Sequence, residues 1–458
     1  MGKLAEVLQH PDEFWPLVQV YRASKKAEQL PKHEGLAFCY GMLNKVSRSF
    51  AVVIQQLEPE LRDAVCIFYL VLRALDTVED DMALSNKVKL PLLDRFHEII
   101  YEHGWTMSCG DGHYVELMEK FPLVSDCFLR LKKPYREVIA DITKKMGQGM
   151  AEFIVKDVET CAEYDQYCHY VAGLVGYGLS GLFASSGLED QEFARPSMDY
   201  LSNSMGLFLQ KTNIIRDYLE DIMEEPAPRM FWPKEIWGKY AKSLDEFQFP
   251  ENRENALACL NHMITDALQH APSSLEYMSR LKEPSVFKFC AIPQVMAIGT
   301  LALCYDNGKV FEGVVKLRRG LSAKMIARTN EYKDVVAIFR AFAGDIGSRV
   351  KPGKDKNAKA TLKAIELIEA DCDARDAAFK SSNPFVELEA GAIPVAAKAG
   401  VAAMAVAYAT YAFKLNDIRE RLNVDTRGAS STLDTVQQCM AVVILCMAGV
   451  IVLRGQRF

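Results

Sequence analysis

The sequence lacks the excess of positive charge that nucleic-acid binding requires. Across its 458 residues, 54 lysines and arginines stand against 60 aspartates and glutamates, so the formal net charge is −6. A protein that neutralises the phosphates of a nucleic acid needs a concentrated basic surface. We therefore expect no nucleic-acid partner.

The sequence also lacks the cysteine spacings of metal clusters and disulfide frameworks. Its twelve cysteines run from Cys39 to Cys446 without a CxxC pair or a zinc-finger pattern, which predicts core thiols in a reducing compartment. The first residues contain no apolar run typical of a signal peptide. Glu6 departs from the myristoylation pattern, which requires serine or threonine at that position.

No run of alternating β-branched residues is long enough to form a sheet. From Phe38 onward, apolar residues recur with helical periodicity between prolines such as Pro59, Pro134 and Pro284. The sequence therefore predicts an all-α bundle with a site built from inward-facing side chains. The GLVGYG segment at 173–178 follows no strand and is not a dinucleotide fingerprint. Close helix packing through small residues explains it better.

Two stretches carry paired carboxylates in apolar surroundings. Residues 210–221, QKTNIIRDYLED, and residues 68–81, FYLVLRALDTVEDD, each contain a DxxxD pair, which lies on one face of a helix. One such motif is usually a solvated helix face. Two in apolar helices predict a shared cage, because an unpaired carboxylate in a dry interior is costly. Such a cage suits Mg²⁺, with Mn²⁺ as the alternative. The predicted metal ligands are Asp76, Glu79, Asp80, Asp217 and Asp221.

These stretches, together with VSRSF at 46–50, resemble the squalene synthase family of head-to-head prenyl transferases. The resemblance continues through YCHYVAGLVGYGLS at 167–180, FWPKEIW at 231–237 and VFEGVVKLRRG at 310–320. It implies a single large helical bundle of the isoprenoid synthase type with a central cavity. It also implies that two farnesyl diphosphates are condensed to presqualene diphosphate, which NADPH, or alternatively NADH, reduces to squalene for sterol synthesis.

The resemblance further implies roles for individual residues. Tyr170 would be catalytic as a proton acceptor beside the four motif aspartates, although a core tyrosine with a satisfied hydroxyl is the alternative. Arg48 could equally be a structural ion-pair partner. The implied phosphate and cofactor contacts are Arg48, Arg73, Arg216, Lys316 and Arg318. The implied substrate contacts are Ser47, Ser49, Phe50, Tyr69, Gln210, Asn213 and Phe289.

Two of these assignments compete with simpler explanations. Residues 289–305 are apolar enough to line an isoprenoid tunnel, but such a stripe is more often ordinary core. The loop around Lys316 and Arg318 has no acidic residue after Glu312 and could simply be solvated. In an enzyme without a Rossmann pattern, it could instead hold the phosphates of a nicotinamide cofactor.

The C-terminal part of the sequence contains two apolar segments, 399–413 and 439–453. Both are shorter than the roughly 20 residues that a membrane-spanning helix needs, and the second is the better anchor. Arg454 and Arg457 leave open a hairpin that returns the terminus to the cytosol. We predict a catalytic domain over residues 1–373 and a linker with a membrane-anchoring region over 374–458. The expected location is the endoplasmic reticulum membrane, with a monomeric catalytic domain facing the cytosol.

Other functions remain open at this point. A relative that stops at presqualene diphosphate or forms a botryococcene-type product would share every motif, because product choice depends on cavity shape. Phytoene synthase is disfavoured by the basic loop and the anchor. A non-catalytic isoprenoid carrier is disfavoured because the acidic motifs are intact.

Overall fold

The computed structural model describes residues 10–27, 30–47, 49–225 and 228–382, and this part of the chain contains helices but no strand. The all-α prediction is therefore confirmed. The α-helices are α1 (Phe14–Ala27), α2 (Glu34–Val46), α3 (Ser49–Ile54), α4 (Pro59–Asp80), α5 (Asn86–Ile99), α6 (His113–Glu119), α7 (Phe121–Arg130), α8 (Lys133–Phe153), α9 (Cys161–Cys168), α10 (Leu174–Ser186), α11 (Asp199–Arg216), α12 (Tyr218–Ile222), α13 (Lys234–Trp237), α14 (Arg253–Leu268), α15 (Ala271–Ser279), α16 (Pro284–Cys304), α17 (Arg319–Arg328), α18 (Tyr332–Arg349) and α19 (Ala358–Ser382). A π-helical turn, His169–Gly173, joins α9 to α10, and short 3₁₀ turns occupy several connections.

Proline marks the starts of several helices, in agreement with its place between the apolar-periodic segments of the sequence. Pro59, Pro134 and Pro284 lie in the first turns of α4, α8 and α16, where the missing N–H needs no intrahelical partner. Pro91 is different because it lies inside α5. Helix α9 begins with a capping box in which Thr160 and Glu163 satisfy each other's backbone N–H groups.

The described residues form two compact units. The larger unit comprises residues 22–317 and 328–376. The smaller unit includes residues 10–21, 318–327 and 377–382 of the described chain. Helix α19 runs through residue 373, where the sequence places the end of the catalytic domain, and that domain division stays a prediction. Both apolar segments of the C-terminal region lie outside the described residues.

Helix α11 is central to the larger unit because it packs against α10, α14, α15 and α16. Helix α4 packs against α2, α5, α8 and α10, so α10 contacts both helices that carry acidic motifs. Two glycines permit α11 to approach α10 and the π-helical turn closely. A Cβ at Gly176 would lie 2.2 Å from the carbonyl oxygen of Ser202, and a Cβ at Gly206 would lie 2.3 Å from that of Ala172. This supports close packing as the role of the GLVGYG segment.

Among the described residues, one helix, α16, has the length and composition to cross a membrane. Its most apolar window is 78% buried, and the helix packs against α11 and α18. Buried contacts of this kind make α16 a core helix of the larger unit. The ten cysteines of the described chain are all free, and all but Cys161 are buried, as expected for core thiols.

Candidate active site

The first acidic motif occupies the last turn of α4. Its side chains differ in exposure: that of Glu79 is 5% exposed, while that of Asp80, the last helical residue, is 53% exposed. The expectation that all motif acids are buried is therefore wrong for Asp80, because the helix ends there and opens toward solvent. Asp76 is more enclosed and lies 3.2 Å from an Arg73 nitrogen.

The second acidic motif spans a break that the sequence does not predict. Helix α11 ends at Arg216, and Asp217 separates it from the short helix α12. The backbone nevertheless keeps helical hydrogen bonds across the break, from Asp217 N–H to Asn213 and from Asp221 N–H to Asp217. Asp217 and Asp221 therefore retain the i, i+4 relation that places them on one side.

Both acidic motifs line the same cavity, whose volume is about 380 Å³. Its walls carry six carboxylates and two guanidinium groups. The carboxylates belong to Asp76, Glu79, Asp80, Asp217, Asp221 and Glu224, and the guanidiniums to Arg73 and Arg229. The amides of Gln210 and Asn213 and the apolar side chains of Met82, Met150, Val171, Ile214 and Phe231 complete the walls with Tyr167. The predicted meeting of the two motifs is thus confirmed.

The electrostatics of the cavity favour a cation. The first motif lies at the C-terminal end of α4, and Asp217 directly follows the last residue of α11, two positions where the helix dipole disfavours negative charge. Burial raises the pKa of Asp76 to about 6, although Arg73 opposes the shift. Burial, reinforced by Asp217, raises the pKa of Asp221 to about 7. Burial also raises the pKa of Glu79. The protein therefore holds these carboxylates where their negative charge is unfavourable unless positive charge is bound.

The donor set fits Mg²⁺ shared with a ligand better than a metal held by protein alone. Within the described chain, no three His, Cys, Asp or Glu side chains converge closely enough to hold an ion by themselves. Mg²⁺ usually takes one or two carboxylates, several waters and substrate phosphate oxygens. Arg73 points to the same class of ligand, because its buried Nε has no hydrogen-bond partner among the described residues and a guanidinium N–H suits an anionic oxygen.

Sequence reasoning missed Arg229. This residue lies between α12 and α13, where no helical periodicity signals its direction. It donates hydrogen bonds to the carboxylates of Glu79 and Asp80. Its guanidinium also lies over the ring of Phe231, which stacks on Tyr167 with the ring centres 3.8 Å apart. A sequence feature that could have drawn attention to Arg229 is its position just before the FWPKEIW block at 231–237.

A sequence profile described as "Squalene/phytoene synthase" matches residues 43–320. The chain belongs to this family. It is 58% identical over 374 residues to "Squalene synthase LSS" of Botryococcus braunii, covering 81% of this chain and 80% of that protein. It is 55% identical over 392 residues to "Squalene synthase 12" of Panax ginseng, covering 85% and 93%. The solved complex of TcSQS with the ligand BPH1237 has a TM-score of 0.73 at 47% identity and covers 75% of this chain and 99% of that one. The predicted family and fold are therefore confirmed.

Tyr170 does not line the cavity, although its neighbour Val171 does. The Tyr170 hydroxyl accepts a hydrogen bond from the Gln166 amide at 2.9 Å and donates one to Glu152 at 3.3 Å. Its ring fits against Gly149, where a Cβ would lie 2.1 Å from the ring. The hydroxyl is thus satisfied and fixed within the π-helical turn, a type of element frequent at functional sites.

The predicted substrate positions divide into two groups. Gln210 and Asn213 line the cavity, and Tyr69 lies next to it, because the Arg73 guanidinium is centred 5.6 Å from its ring. The others lie elsewhere. Ser47 donates to the carbonyl of Leu43, Phe50 is 6.4 Å from the Tyr69 ring, and Phe289 is buried against Phe183. The side chain of Ser49 lies outside the described residues.

The predicted phosphate contacts are similarly dispersed. Arg73 lines the cavity, whereas Arg216 forms a two-point contact with the adjacent Asp217 at 2.7 and 2.5 Å. Arg48 lies outside the described residues. Lys316 is exposed in the larger unit.

Arg318 belongs to the smaller unit. Its acidic partner does not come from its own loop but from a distant part of the sequence. It donates to Glu13 at 2.9 Å, and Glu13 is buried. Lys324 pairs with Asp12 at 2.6 Å. The loop is therefore not simply solvated at Arg318. Its Nη1 remains buried without a hydrogen-bond partner among the described residues.

Proposed function

We propose that this protein is a squalene synthase, a farnesyl-diphosphate farnesyltransferase. It joins two farnesyl diphosphates head to head into presqualene diphosphate and reduces that product with NADPH to squalene, the first committed step toward sterols. The observation that carries the proposal is the pair of acidic motifs lining one cavity. It occurs in a chain that is more than half identical to named squalene synthases over most of its length.

The acidic motifs are the proposed metal site. The residues that would hold Mg²⁺, or Mn²⁺ in its place, are Asp76, Glu79, Asp80, Asp217 and Asp221. Bound Mg²⁺ supplies electrostatic stabilisation for the charge that develops on a departing diphosphate. Arg73 contributes from the protein itself, since its unpartnered Nε can donate to an anionic oxygen in the cavity.

The apolar walls protect the reacting carbon skeleton. An allylic cation exposed to water would be quenched to an alcohol, so the site must exclude water while the second olefin attacks. Val171, Ile214 and the stacked Tyr167 and Phe231 rings provide such walls. The proton lost on forming presqualene diphosphate passes to a diphosphate oxygen or to Tyr170, which would at the same time give its own hydroxyl proton to Glu152. Gln166 and Glu152 hold the Tyr170 hydroxyl in one orientation.

The proposed cofactor contacts include Lys316 and Arg318. NADPH, with NADH as the alternative, supplies the hydride for the reductive step when it is bound. Glu13 orients the Arg318 guanidinium, and the unpartnered Nη1 of that group is a donor suited to a phosphate oxygen. Arg48 and Arg216 are proposed as further phosphate contacts.

The location of the enzyme is also a proposal. The family resemblance and the two apolar segments after residue 398 support attachment of a monomeric protein to the endoplasmic reticulum membrane through its C-terminal region. In that arrangement the catalytic domain faces the cytosol, where farnesyl diphosphate and NADPH are available.

Product identification tests the function directly. Purified protein is incubated with farnesyl diphosphate and Mg²⁺, with and without NADPH, and the extracted lipids are identified by mass spectrometry. We expect squalene with NADPH and presqualene diphosphate without it. Presqualene diphosphate or a botryococcene-type hydrocarbon under both conditions would favour the alternative relatives. No consumption of farnesyl diphosphate would contradict the proposal, and the carrier hypothesis would then be the better one.

A further inference from the structure

Arg229 connects the two acidic motifs although it belongs to neither. Its side chain donates to the carboxylate of Glu79 at 2.5 Å and also to that of Asp80. Its backbone N–H donates to the carbonyl of Asp221 at 3.0 Å. Arg229 therefore links the end of α4, through its side chain, to the end of α12, through its backbone N–H.

The position of Arg229 is one that a bound cation would also occupy. Glu79 is buried at the negative end of a helix, and its carboxylate requires a positive partner there. The guanidinium supplies that charge with two directed hydrogen bonds, which are strong when both partners are ionised. The Phe231 ring beneath the guanidinium, itself stacked on Tyr167, limits the directions in which the side chain can move.

We propose that Arg229 is an internal counter-cation, which neutralises the first acidic motif in the metal-free protein and must leave Glu79 and Asp80 before a metal ion can bind them. The inference rests on the proposed function insofar as these carboxylates are metal ligands. Two consequences follow from the competition. Arg229 weakens the binding of a free divalent ion, and it stabilises the protein when no ion is present.

Metal titration of Arg229→Gln tests the competition without measuring turnover. Free Mn²⁺ is titrated into metal-free protein at pH 8 without diphosphate, and its dissociation constant is measured by electron paramagnetic resonance. Because Arg229 makes charge-assisted hydrogen bonds to two carboxylates, we expect the variant to bind Mn²⁺ roughly tenfold more tightly than the wild type. The variant should also melt at a lower temperature without metal and recover more of that loss than the wild type when Mn²⁺ is added.

Arg340→Gln is the matched control. Arg340 also forms ion pairs with two carboxylates, those of Asp376 and Asp373, at 2.7 and 2.8 Å. The exposed fraction of its side chain is close to that of Arg229. Removing it should lower stability without changing the Mn²⁺ dissociation constant. If the Arg229→Gln protein does not fold, Arg229→Lys replaces it, and Mn²⁺ binding should then be tighter than in the wild type by a smaller factor, because an ammonium cannot reproduce the two-point contact.

Unchanged or weaker Mn²⁺ binding in the Arg229 variant that folds would overturn the inference. If the acidic motifs did not bind metal at all, a different result would be observed. In that case Asp80→Asn would leave the Mn²⁺ affinity of the wild type unchanged. Failure of the proposed reaction would appear only in product identification, and tighter Mn²⁺ binding by the Arg229 variant would stand whatever product is formed.

Discussion

Lys211 lies on α11, the helix that leads into the second acidic motif, and pairs with carboxylates of two neighbouring helices. Its substitution should lower the free energy of unfolding more than most single substitutions outside the cavity. The side chain is 1% exposed on α11 and lies 2.5 Å from Asp165 and 2.6 Å from Asp266, which belong to α9 and α14. Its ammonium also lies 5.1 Å from the centre of the Tyr164 ring. Lys211→Met would keep the volume of the side chain and leave two carboxylates without their cation.

The expected loss of unfolding free energy depends on how exposed the two carboxylates are. Breaking a buried pair by removing one partner costs about 3–5 kcal/mol. Asp165 is half-exposed and can be hydrated, whereas Asp266 is mostly enclosed. We therefore expect the lower end, about 3 kcal/mol of unfolding free energy, measured by urea denaturation followed by circular dichroism.

A matched surface change and a double mutant sharpen this test. Lys145 pairs with Asp141 at a similar 2.6 Å, but both side chains are about half-exposed. Lys145→Met should therefore cost less than about 1 kcal/mol. Adding Asp266→Asn to Lys211→Met should restore at least about 1 kcal/mol, because it removes the unpaired charge. Equal losses for the two lysine variants, with no restoration, would refute the reasoning.

Three further outcomes test the site. Asp80→Asn and Asp217→Asn should each reduce farnesyl diphosphate consumption by at least about a hundredfold while the circular dichroism spectrum is unchanged; full turnover in both would contradict the metal role. Arg318→Ala should let presqualene diphosphate accumulate when NADPH is supplied, and an unchanged squalene yield would remove this residue from the cofactor site. Because burial raises the pKa of Asp76 to about 6 and that of Asp221 to about 7, the native protein binds more protons than the unfolded chain in this range. The unfolding free energy of metal-free protein should therefore fall by about 4 kcal/mol between pH 5 and pH 8, and a rise with pH measured by urea denaturation would contradict this account.

Local chemistry made much of the fold predictable from the sequence. Helical periodicity and proline act within one or two turns, so the starts of helices such as α4, α8 and α16 could be predicted. The DxxxD spacing likewise places two carboxylates together on any helix. That both pairs reach one cavity could be expected from the cost of isolating a buried carboxylate.

Contacts between distant residues could not be predicted in this way. Arg229 lies 149 positions from Asp80 in a segment without regular structure, so no periodicity gives the direction of its side chain. Arg318 and Glu13 are 305 positions apart, and the expectation of an unpaired basic loop failed because it considered only neighbouring residues. The break at Asp217 likewise has no signal in the local sequence, which reads as one continuous helix.

The central claim is that carboxylates from both acidic motifs bind divalent metal together with a diphosphate in one cavity. Crystals of the full chain grown with Mn²⁺ and a non-hydrolysable thio analogue of farnesyl diphosphate allow the metal to be located by anomalous scattering. We predict manganese peaks in the cavity, with ligands from Asp76 or Asp80 on α4, from Asp217 or Asp221 on the other side, and from the diphosphate oxygens. Manganese bound by neither motif, or a diphosphate seated outside this cavity, would contradict the account.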